Sequence, residues 1–390
     1  MKLADRHLCS GCAACHDACA RSAITMTMDS EGFFYPEIDS SKCVECRRCV
    51  AICPALHQDT PRQPLAVYAA KAKDDVLRLA SSSGGIFSLL AQQVLAQGGR
   101  VYGVAFNQTD WLPYHIGVDD EKGLEALRGS KYVQVCTSGI YQQIKNDLKA
   151  GRFVLFSGTP CQIAALRHYL GQDWEQLFLL EVVCHGAPSP LVWKNYLKSR
   201  VAILSAENMA NISVERIAFR RKDYGWKRFS VSLRFSNDTE YHSVFSKDPF
   251  MRAFLGELCN RPSCHRCQFR ELKSGADLTL GDFWGIDKFH PEMDDDRGTS
   301  LVLVNTDKGA TLFERIRQNL DCVVATYEEA IHGNSALFKS PKPHRNRKRF
   351  LIKCSSAGFE QNVDQMLKPR LKDRIRRFAG KILRKLGLYS

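Results

Sequence analysis

The cysteines of this chain fall into patterns that suit metal binding. Eight of the sixteen cysteines lie within the first 53 residues, in two runs that share the spacing C-x2-C-x2-C-x3-C. The first run is Cys9, Cys12, Cys15 and Cys19, and the second is Cys43, Cys46, Cys49 and Cys53. Each cysteine has its counterpart 34 residues away, so the two runs form an internal repeat. Closely spaced thiolates can reach several corners of one iron–sulfur cube, and the pattern therefore predicts two [4Fe-4S] clusters.

The spacing is that of a bacterial two-cluster ferredoxin, in which the fourth cysteine of each run binds the other cluster. We therefore expect the first three cysteines of run one and Cys53 to hold cluster I, and the first three of run two and Cys19 to hold cluster II. A lone quartet could hold zinc, but two matched quartets favour clusters, and disulfides are disfavoured still more. Between the runs, residues 24–39 predict a hairpin with its turn at Asp29–Gly32. Because such a module moves single electrons without bond chemistry, a partner site should follow.

A second group of cysteines lies about two hundred residues later. The stretch "LCNRPSCHRCQF" contains Cys259, Cys264 and Cys267, while Cys161 and Cys184 each follow a predicted strand. The carboxyl ends of such strands are where open α/β sheets bind ligands. Four of these thiolates would be enough for a third cluster. A single cysteine at such a position is usually a small buried hydrophobe, and the spacing C-x4-C-x2-C also admits Cys259 as a ligand, so both alternatives stay open.

The middle of the chain alternates predicted strands and helices, which indicates an α/β domain. The predicted strands are Leu65–Ala72, Arg100–Phe106, Phe153–Ser157 and Leu177–Val183, and the predicted helices are Ser83–Ala96, Tyr141–Lys149 and Gln162–Leu170. Two connections are unusual. Ser81–Phe87 ("SSSGGIF") provides hydroxyls and glycines at a helix start, where N–H groups and the helix dipole favour a phosphate; capping serines with a tight turn explain it equally. Leu155–Leu166 ("LFSGTPCQIAAL") is again strand, tight turn and helix, with a cysteine at the turn.

These segments, in this order, resemble the coenzyme F420 hydrogenase/dehydrogenase beta-subunit family over about residues 1–335. The resemblance rests on the two cysteine runs and on the blocks SSSGG, GSKYVQ, SGTPCQIAAL, VCHGAPSP, RPSCHRCQF, ADLTLGDFWG and GTSLVLVNT. It is greatest to bacterial members found among genes for surface polysaccharides, and it implies FAD in the α/β domain with an iron–sulfur cluster beside it. One departure is Val135-Cys136, since the family usually has Ser after KYVQ. No deazaflavin-specific motif is present, so coenzyme F420 is not implied as the substrate.

The resemblance also assigns roles to individual residues. Its recurring cysteines correspond to Cys161, Cys184, Cys264 and Cys267. Cys259 is therefore the cysteine of this group that is not expected to bind the third cluster. It implies a cofactor site formed by Ser82, Ser83, Gly84, Gly85, Gly158 and Thr159, with the first loop against the FAD phosphates. Lys131 is expected near the flavin, where a cation could stabilise the reduced anionic ring, and His185 could relay protons. These two residues are the catalytic candidates. The alternative for Lys131 is a surface cation, and the alternative for His185 is an imidazole that holds a loop in place.

The net positive charge is confined to the C-terminal tail. The chain has 55 Lys and Arg against 42 Asp and Glu, a formal net charge of +13. Residues 339–390 contain 16 of these basic residues and three of the acidic ones, which leaves 39 of each sign in residues 1–338. The body of the protein is therefore neutral, and the basic charge belongs to a separable function.

The last part of this tail predicts a basic amphipathic helix. Its apolar stripe consists of Leu371, Ile375, Phe378, Ala379, Ile382, Leu383 and Leu386, and eight Lys and Arg fall on the other face. Such a helix is typical of a membrane-surface element. A helix docked on the body is the alternative, and nucleic acid is disfavoured because few aromatics are interleaved and the body is neutral.

The expected fold class is mixed, α+β and α/β. A two-cluster (2[4Fe-4S]) ferredoxin domain occupies residues 1–60. A reductase domain follows, with an FAD-binding part at 65–200 and a CxxC- and GDFWG-containing part at 201–335, before a basic tail at 336–390. No apolar run resembles a signal peptide or reaches the roughly 18 residues of a spanning helix, which predicts a cytoplasmic protein, peripheral on the inner membrane face if the tail binds there.

The predicted function is that of an FAD- and [4Fe-4S]-dependent oxidoreductase. It would take electrons from a soluble donor such as ferredoxin or a reductase and pass them to an organic acceptor, in surface polysaccharide biosynthesis. The alternative is a non-catalytic electron-transfer subunit of a larger redox complex.

Overall fold

The N-terminal lobe, residues 3–60, is built on an antiparallel hairpin in the computed structural model, which describes residues 3–208 and 211–369. Its elements are helix α1 (Ala14–Asp17), strands β1 (Ile24–Met28) and β2 (Phe34–Ile38), and helix α2 (Arg48–Ala51). In the turn, the Asp29 carboxylate accepts hydrogen bonds from the N–H groups of Glu31 and Phe33, and Gly32 adopts a φ of 83°. The predicted hairpin is therefore confirmed. Each short helix contains the third cysteine of its run, Cys15 in α1 and Cys49 in α2.

The rest of the chain is organised around an eight-stranded mixed sheet and a three-stranded antiparallel sheet. The strands are β3 (Ala66–Ala72), β4 (Arg100–Phe106), β5 (Pro113–Val118), β6 (Val154–Gly158), β7 (Leu177–Val182), β8 (Val214–Arg221), β9 (Ser230–Phe235), β10 (Glu240–Val244), β11 (Leu278–Asp282), β12 (Ser300–Val304) and β13 (Leu320–Ala325). The large sheet has the order β13-β3-β12-β11-β7-β6-β4-β5, and the small one β10-β9-β8.

Helices cover these sheets. They are α3 (Asp75–Ala80), α4 (Ile86–Leu95), α5 (Glu121–Leu127), α6 (Ile140–Lys149), α7 (Pro160–Leu170), α8 (Pro190–Asn208), α9 (Pro249–Leu255), α10 (Ile286–Phe289), α11 (Asp307–Glu314), α12 (Tyr327–Gly333), α13 (Arg347–Lys353) and α14 (Phe359–Leu367). None of the helices within the described ranges is long and apolar enough to cross a membrane. The predicted basic helix of residues 370–386 lies outside the described residues.

The direction of the strands decides where the loops meet. Strands β4, β6, β7 and β11 are parallel, and β12 runs antiparallel between β11 and β3. Strand β3 therefore has the same direction as β11. The carboxyl ends of these five strands meet at one edge of the sheet, which we call the carboxyl edge, and β12 begins there at Ser300. The sheet is mixed because of β12, β13 and β5, which no local sequence pattern had indicated.

Apolar side chains are buried on both faces of the large sheet, as expected for strands covered by helices. One face packs Leu155, Leu180 and Val302 against α4 and α11, and the other packs Phe156 and Leu179 against α6 and α7. The small sheet has an aromatic core of its own. This core includes Trp193, Tyr196, Phe219, Phe250 and the buried Cys259.

Candidate iron–sulfur and flavin site

The cysteines of the N-terminal lobe form groups that cross between the two runs. Burial raises the pKa of the Cys12 thiol well above its usual value, and three neighbouring thiolates add to that rise. These neighbours are Cys9, Cys15 and Cys53. The same four thiols line one small cavity, so we call them the cluster I set.

The remaining cysteines of this lobe differ in exposure, and Cys49 is buried, at 4% exposure. Burial raises the pKa of Cys49, and the neighbouring thiolates of Cys19 and Cys46 raise it further. Cys46 is exposed and Cys43 is partly exposed on the same loop. We call Cys19, Cys43, Cys46 and Cys49 the cluster II set. Because a thiol must lose its proton to bind iron, loading of both sets should release protons.

Four more thiols converge at the carboxyl edge. Cys161, Cys184, Cys264 and Cys267, which we call the edge set, line a cavity of about 750 Å³, counting the part open to solvent. Burial raises the pKa of Cys184 well above its usual value, and the other three thiolates of the set raise it further. The sequence alone left this position open between Cys184 and Cys259. The structure brings Cys184, and not Cys259, to the edge set.

Cys259 lies away from this cavity. Its side chain is 0% exposed and packs in the aromatic core of the small sheet. Burial raises its pKa well above the usual value, and the thiolate that adds to this rise belongs to Cys354, which is outside the edge set. Cys259 therefore behaves as a small core residue, the usual role of a buried cysteine.

The elements around the edge set hold each thiol in place. Strands β6 and β7 end beside the cavity. Cys161 lies three residues after Gly158, in the first turn of α7, and Cys184 lies two residues after Val182. Thr159 Oγ1 lies 3.3 Å from Cys161 Sγ, and the N–H of Ala187 donates to Cys264 Sγ at 3.3 Å. A 3₁₀ helix, Pro262–Arg266, carries Cys264. Hydrogen bonds to sulfur are one of the means by which a protein adjusts a cluster potential.

Among residues 3–208 and 211–369, no group of three or more Cys, His, Asp or Glu side chains has the geometry for a single metal ion.

The loop Ser81–Gly85, which we call the Ser-Gly loop, lies at the same carboxyl edge. The N–H of Gly84 donates to Ser300 Oγ at 2.9 Å, and a Cβ added to Gly84 would lie 2.5 Å from the carbonyl oxygen of Ala70. Gly85 adopts a φ of +89° immediately before α4, so the predicted helix starts three residues later than Ser83. The close packing of Gly84 and the positive φ of Gly85 both require glycine.

The serine hydroxyls of this loop make contacts within the protein. Ser83 Oγ donates to the carbonyl oxygen of Thr299 at 3.2 Å, and Ser82 Oγ accepts from the N–H of Ser130 at 2.8 Å. These bonds join the loop to β12 and to the segment that contains Lys131. Gly158 and Thr159 lie instead at the edge-set end of the sheet, where Thr159 lines the cavity. The predicted cofactor residues thus lie in two places along the carboxyl edge, one at the Ser-Gly loop and one at the edge-set cavity.

Lys131 is half-buried beside the Ser-Gly loop. Its Nζ donates to the carbonyl oxygens of Ala126 and Arg128 at 2.9 and 2.8 Å, and no carboxylate in the described part of the chain pairs with it. Burial lowers its pKa to about 7. Its ammonium group is thus held by backbone carbonyl oxygens beside the Ser-Gly loop.

Two further cations at this loop were missed by the sequence analysis. Lys222 Nζ donates to the carbonyl oxygens of Arg78, Ser83 and Arg297 at 2.6–2.7 Å, and burial lowers its pKa to about 7. Arg220 forms a bidentate ion pair with Asp282 and donates to the carbonyl oxygen of Ser82 at 3.2 Å. The available signal was the run of three consecutive basic residues, Arg220 to Lys222, at a strand end.

His185 follows Cys184 and is held by an acidic partner. Its Nε2 lies 2.5 Å from Glu257 Oε1, and its ring packs edge-on against Phe254. The other carboxylate oxygen of Glu257 accepts from Asn260 Nδ2 at 2.7 Å. The imidazole therefore anchors the loop after β7, and a partly exposed face remains available for proton exchange.

The N-terminal lobe docks against the start of α6. The buried Asp17 carboxylate accepts hydrogen bonds from the N–H groups of Gly139 and Tyr141 at 2.6 and 3.0 Å. A carboxylate is favoured there by the helix dipole and the unpaired N–H groups. Thr137 Oγ1 and Tyr141 Oη both donate to the carbonyl oxygen of Cys12, at 2.6 and 2.9 Å. The cluster I set is thereby fixed to the α/β body.

Comparison with known proteins supports this division of the chain. Residues 8–56 match a 4Fe-4S dicluster domain, residues 67–140 match the N-terminal model of "Coenzyme F420 hydrogenase/dehydrogenase, beta subunit", and residues 151–330 match its C-terminal model. A 52-residue segment is 35% identical to an uncharacterized ferredoxin of Methanocaldococcus jannaschii, and covers 13% of this chain and 66% of that protein.

A solved structure, titled as the xenon-derivatized F420-reducing [NiFe] hydrogenase complex from Methanosarcina barkeri, has a TM-score of 0.45 and 13% identity to this chain. That comparison covers 79% of this chain and 90% of the other. The family recognised in the sequence is confirmed by the two beta-subunit models, which between them span most of the α/β body. The chain belongs to the coenzyme F420 hydrogenase/dehydrogenase beta-subunit family, and it is an iron–sulfur protein whose N-terminal part is a 4Fe-4S dicluster domain.

Proposed function

We propose that this protein is an FAD- and [4Fe-4S]-dependent reductase. It accepts single electrons from a soluble donor such as ferredoxin or a reductase and delivers them to an organic acceptor. The observation that carries the proposal is the shared carboxyl edge, where the four thiols of the edge set and the cation-lined Ser-Gly loop both lie. Membership of the family and its dicluster domain support an electron-transfer role.

Three thiol sets have the residue chemistry that clusters need. The cluster I and cluster II sets would hold the two clusters of the N-terminal lobe, and the edge set would hold a third. These clusters supply one-electron transfer when bound. The protein contributes burial around the cluster I and edge sets, which excludes water, and hydrogen bonds to Cys161 and Cys264 that fix thiolate orientation.

The Ser-Gly loop has the features of a phosphate cradle. Gly84 and Gly85 keep the backbone close to the sheet at the start of α4, where N–H groups and the helix dipole favour an anion. Lys131 and Lys222 add two cations with no carboxylate partner at hydrogen-bond distance in the described ranges. FAD supplies hydride and single-electron chemistry when bound. Its phosphates would offset the unpaired charge of these lysines.

The N-terminal lobe offers an entry surface for a donor. Cys46 is exposed, and Val44 beside it is 60% exposed. The exposed cations Arg47 and Arg48 lie between Cys46 and Cys49, and exposed Lys42, before Cys43, pairs with Asp39 at 3.3 Å. An acidic electron donor would be steered to such a patch, because complementary charge raises the association rate. We therefore propose the cluster II set as the first to receive electrons.

The organic acceptor is proposed to be a sugar or lipid-linked sugar, from the resemblance to members found among surface polysaccharide genes. The rival function is a non-catalytic subunit that delivers electrons to a partner enzyme. Mixing the anaerobically reduced protein with a panel of nucleotide sugars and lipid-linked sugars separates the two. The reductase function predicts that one of these compounds reoxidises the flavin, which restores the absorbance band of oxidised flavin. If no small molecule reoxidises it while a redox partner protein does, the rival function is correct.

The basic tail is proposed to bind membrane surfaces. Deleting residues 368–390 should abolish co-sedimentation with vesicles that contain anionic lipid, because each Lys or Arg near such a surface contributes about 1 kcal/mol. Iron content and flavin content should not change, since the deletion removes none of the proposed cofactor-binding residues. A variant with residues 339–353 neutralised controls for charge elsewhere in the tail. Unchanged sedimentation of the deletion variant would contradict the proposal.

A further inference from the structure

Arg261 is an unusual cation between the cluster I set and the edge set. Its side chain is 1% exposed, and no carboxylate among the described residues pairs with it. Its Nη1 is buried and has no hydrogen-bond partner within residues 3–208 and 211–369. A buried charge without compensation is strongly destabilising. The fold therefore leaves this guanidinium in need of negative charge from a group other than an acidic side chain.

On one side, Arg261 contacts the cluster I set. Its Nε donates to the carbonyl oxygen of Cys9 at 2.8 Å, and its Nη2 lies 3.8 Å from Cys9 Sγ. The guanidinium plane lies over the ring of Tyr35, with 3.9 Å between Cζ and the ring centroid. Gly11 leaves room for it, because a Cβ there would lie 3.1 Å from Arg261 Cζ. The N-terminal lobe is thus shaped around this side chain.

On the other side, Arg261 lies against the edge set. Leu8 and Ser10, which flank Cys9, line the edge-set cavity together with Ala187 and Cys264. The backbone of Arg261 also forms hydrogen bonds with residues at the edge set. Its N–H donates to the carbonyl oxygen of Ala187 at 2.9 Å, and its carbonyl oxygen accepts from the N–H of Cys264 at 3.0 Å. The same residue is therefore fixed to both halves of the protein.

We infer that Arg261 is the shared counter-charge of the cluster I site and the edge site, and that it makes both easier to reduce. This inference rests on the proposed third cluster. A cluster with four thiolate ligands is negatively charged, and each reduction adds one electron without a proton. A fixed cation in a buried environment stabilises the more negative, reduced state. The cations beside the cluster II set, Lys42, Arg47 and Arg48, are exposed, and solvent and salt screen their charge. The buried charge of Arg261 therefore favours movement of an electron inward from the cluster II site.

The test is an EPR-monitored reductive titration of the anaerobically purified holoprotein, with dithionite as the reductant. Arg261→Gln should lower the equilibrium constant for reduction at least tenfold at the cluster I site and at the edge site. For a one-electron couple this corresponds to a fall of about 59 mV in each reduction potential. The third potential, that of cluster II, should not move. Arg261→Lys keeps the charge and should restore both affinities to within threefold of the wild type.

Arg347→Gln is the matched control. Arg347 lies nearby, with its Cζ 5.8 Å from the ring of Phe33, but its charge is compensated by Glu31 at 2.7 Å. This variant should leave all three potentials unchanged. Such a result would separate a charge effect specific to Arg261 from general disturbance of the interface between the lobe and the body.

The remaining outcomes are also decisive. Loss of clusters in Arg261→Gln with full retention in Arg261→Lys would support the inference, because only the charge distinguishes the two. Unchanged potentials in Arg261→Gln, equal shifts in both variants, or loss of clusters in both would overturn it while the proposed function stands. About eight irons per wild-type chain would instead show that the third cluster is absent. That result would overturn both the proposed function and the shared role of Arg261.

Discussion

Replacing Cys184 with Ser should remove about four irons per chain, whereas replacing Cys259 with Ser should remove none. Cys184 lines the edge-set cavity with Cys161, Cys264 and Cys267, and a serine oxygen is a poor replacement for a thiolate on iron. Cys259 packs in an aromatic core instead. Its replacement buries a hydroxyl and should lower the free energy of unfolding by about 1–3 kcal/mol.

The two variants are compared by iron and sulfide analysis after anaerobic purification, and by thermal unfolding. Cys322→Ser is a suitable control, since Cys322 is a half-buried cysteine on β13, on the far side of β3 from the edge set. The assignment would be wrong if Cys259→Ser lost about four irons and Cys184→Ser kept them all. Loss in both variants would mean that the aromatic core and the edge cavity depend on each other.

Replacing Gly84 with Ala should reduce flavin occupancy at least tenfold, which corresponds to about 1.4 kcal/mol or more of binding free energy. A Cβ at this position would meet the carbonyl oxygen of Ala70 at 2.5 Å and the backbone nitrogen of Ser300 at 2.9 Å. Neither backbone atom can move without disturbing β3 or β12, so the Ser-Gly loop must shift off the sheet edge. The phosphate cradle proposed at the start of α4 would be lost with it.

Gly98→Ala provides the matched control at the other end of α4. Gly98 has a φ of +70° but no heavy atom within 4 Å of an added Cβ, so the substitution introduces backbone strain without a clash. It should cost about 1–2 kcal/mol in stability and leave flavin occupancy unchanged. The ratio of flavin to protein and an FAD titration of the purified variants measure the difference. Full flavin occupancy in Gly84→Ala would contradict the proposed cradle.

Local patterns were enough to locate several elements. Strand β4 has the predicted bounds, Arg100–Phe106. A short apolar run between two glycines and a turn favours a strand over a helix. Helix α7 starts two residues before the predicted Gln162, since Thr159 and Gln162 form a capping box around Pro160. Helix α4 starts later than predicted because the positive φ of Gly85 cannot be accommodated within a helix.

Other features depend on contacts between distant parts of the chain. No sequence period indicates that β12 inserts antiparallel between β3 and β11, yet this pairing brings Ser300 to the Ser-Gly loop. The spacing of Cys259, Cys264 and Cys267 left both Cys184 and Cys259 open as ligands, because spacing does not show that Cys259 packs into the aromatic core of the small sheet. Lys222 and Arg261 were missed for the same reason, since their significance lies in buried charge without an acidic partner.

Iron, labile sulfide and flavin analysis of the anaerobically purified protein tests the central claim most directly. The claim is that three thiol sets hold three clusters beside one flavin. It predicts about twelve irons, about twelve sulfides and about one FAD per chain, with four irons for each set. About eight irons without flavin would contradict it, because the dicluster domain would then be the whole of the redox machinery.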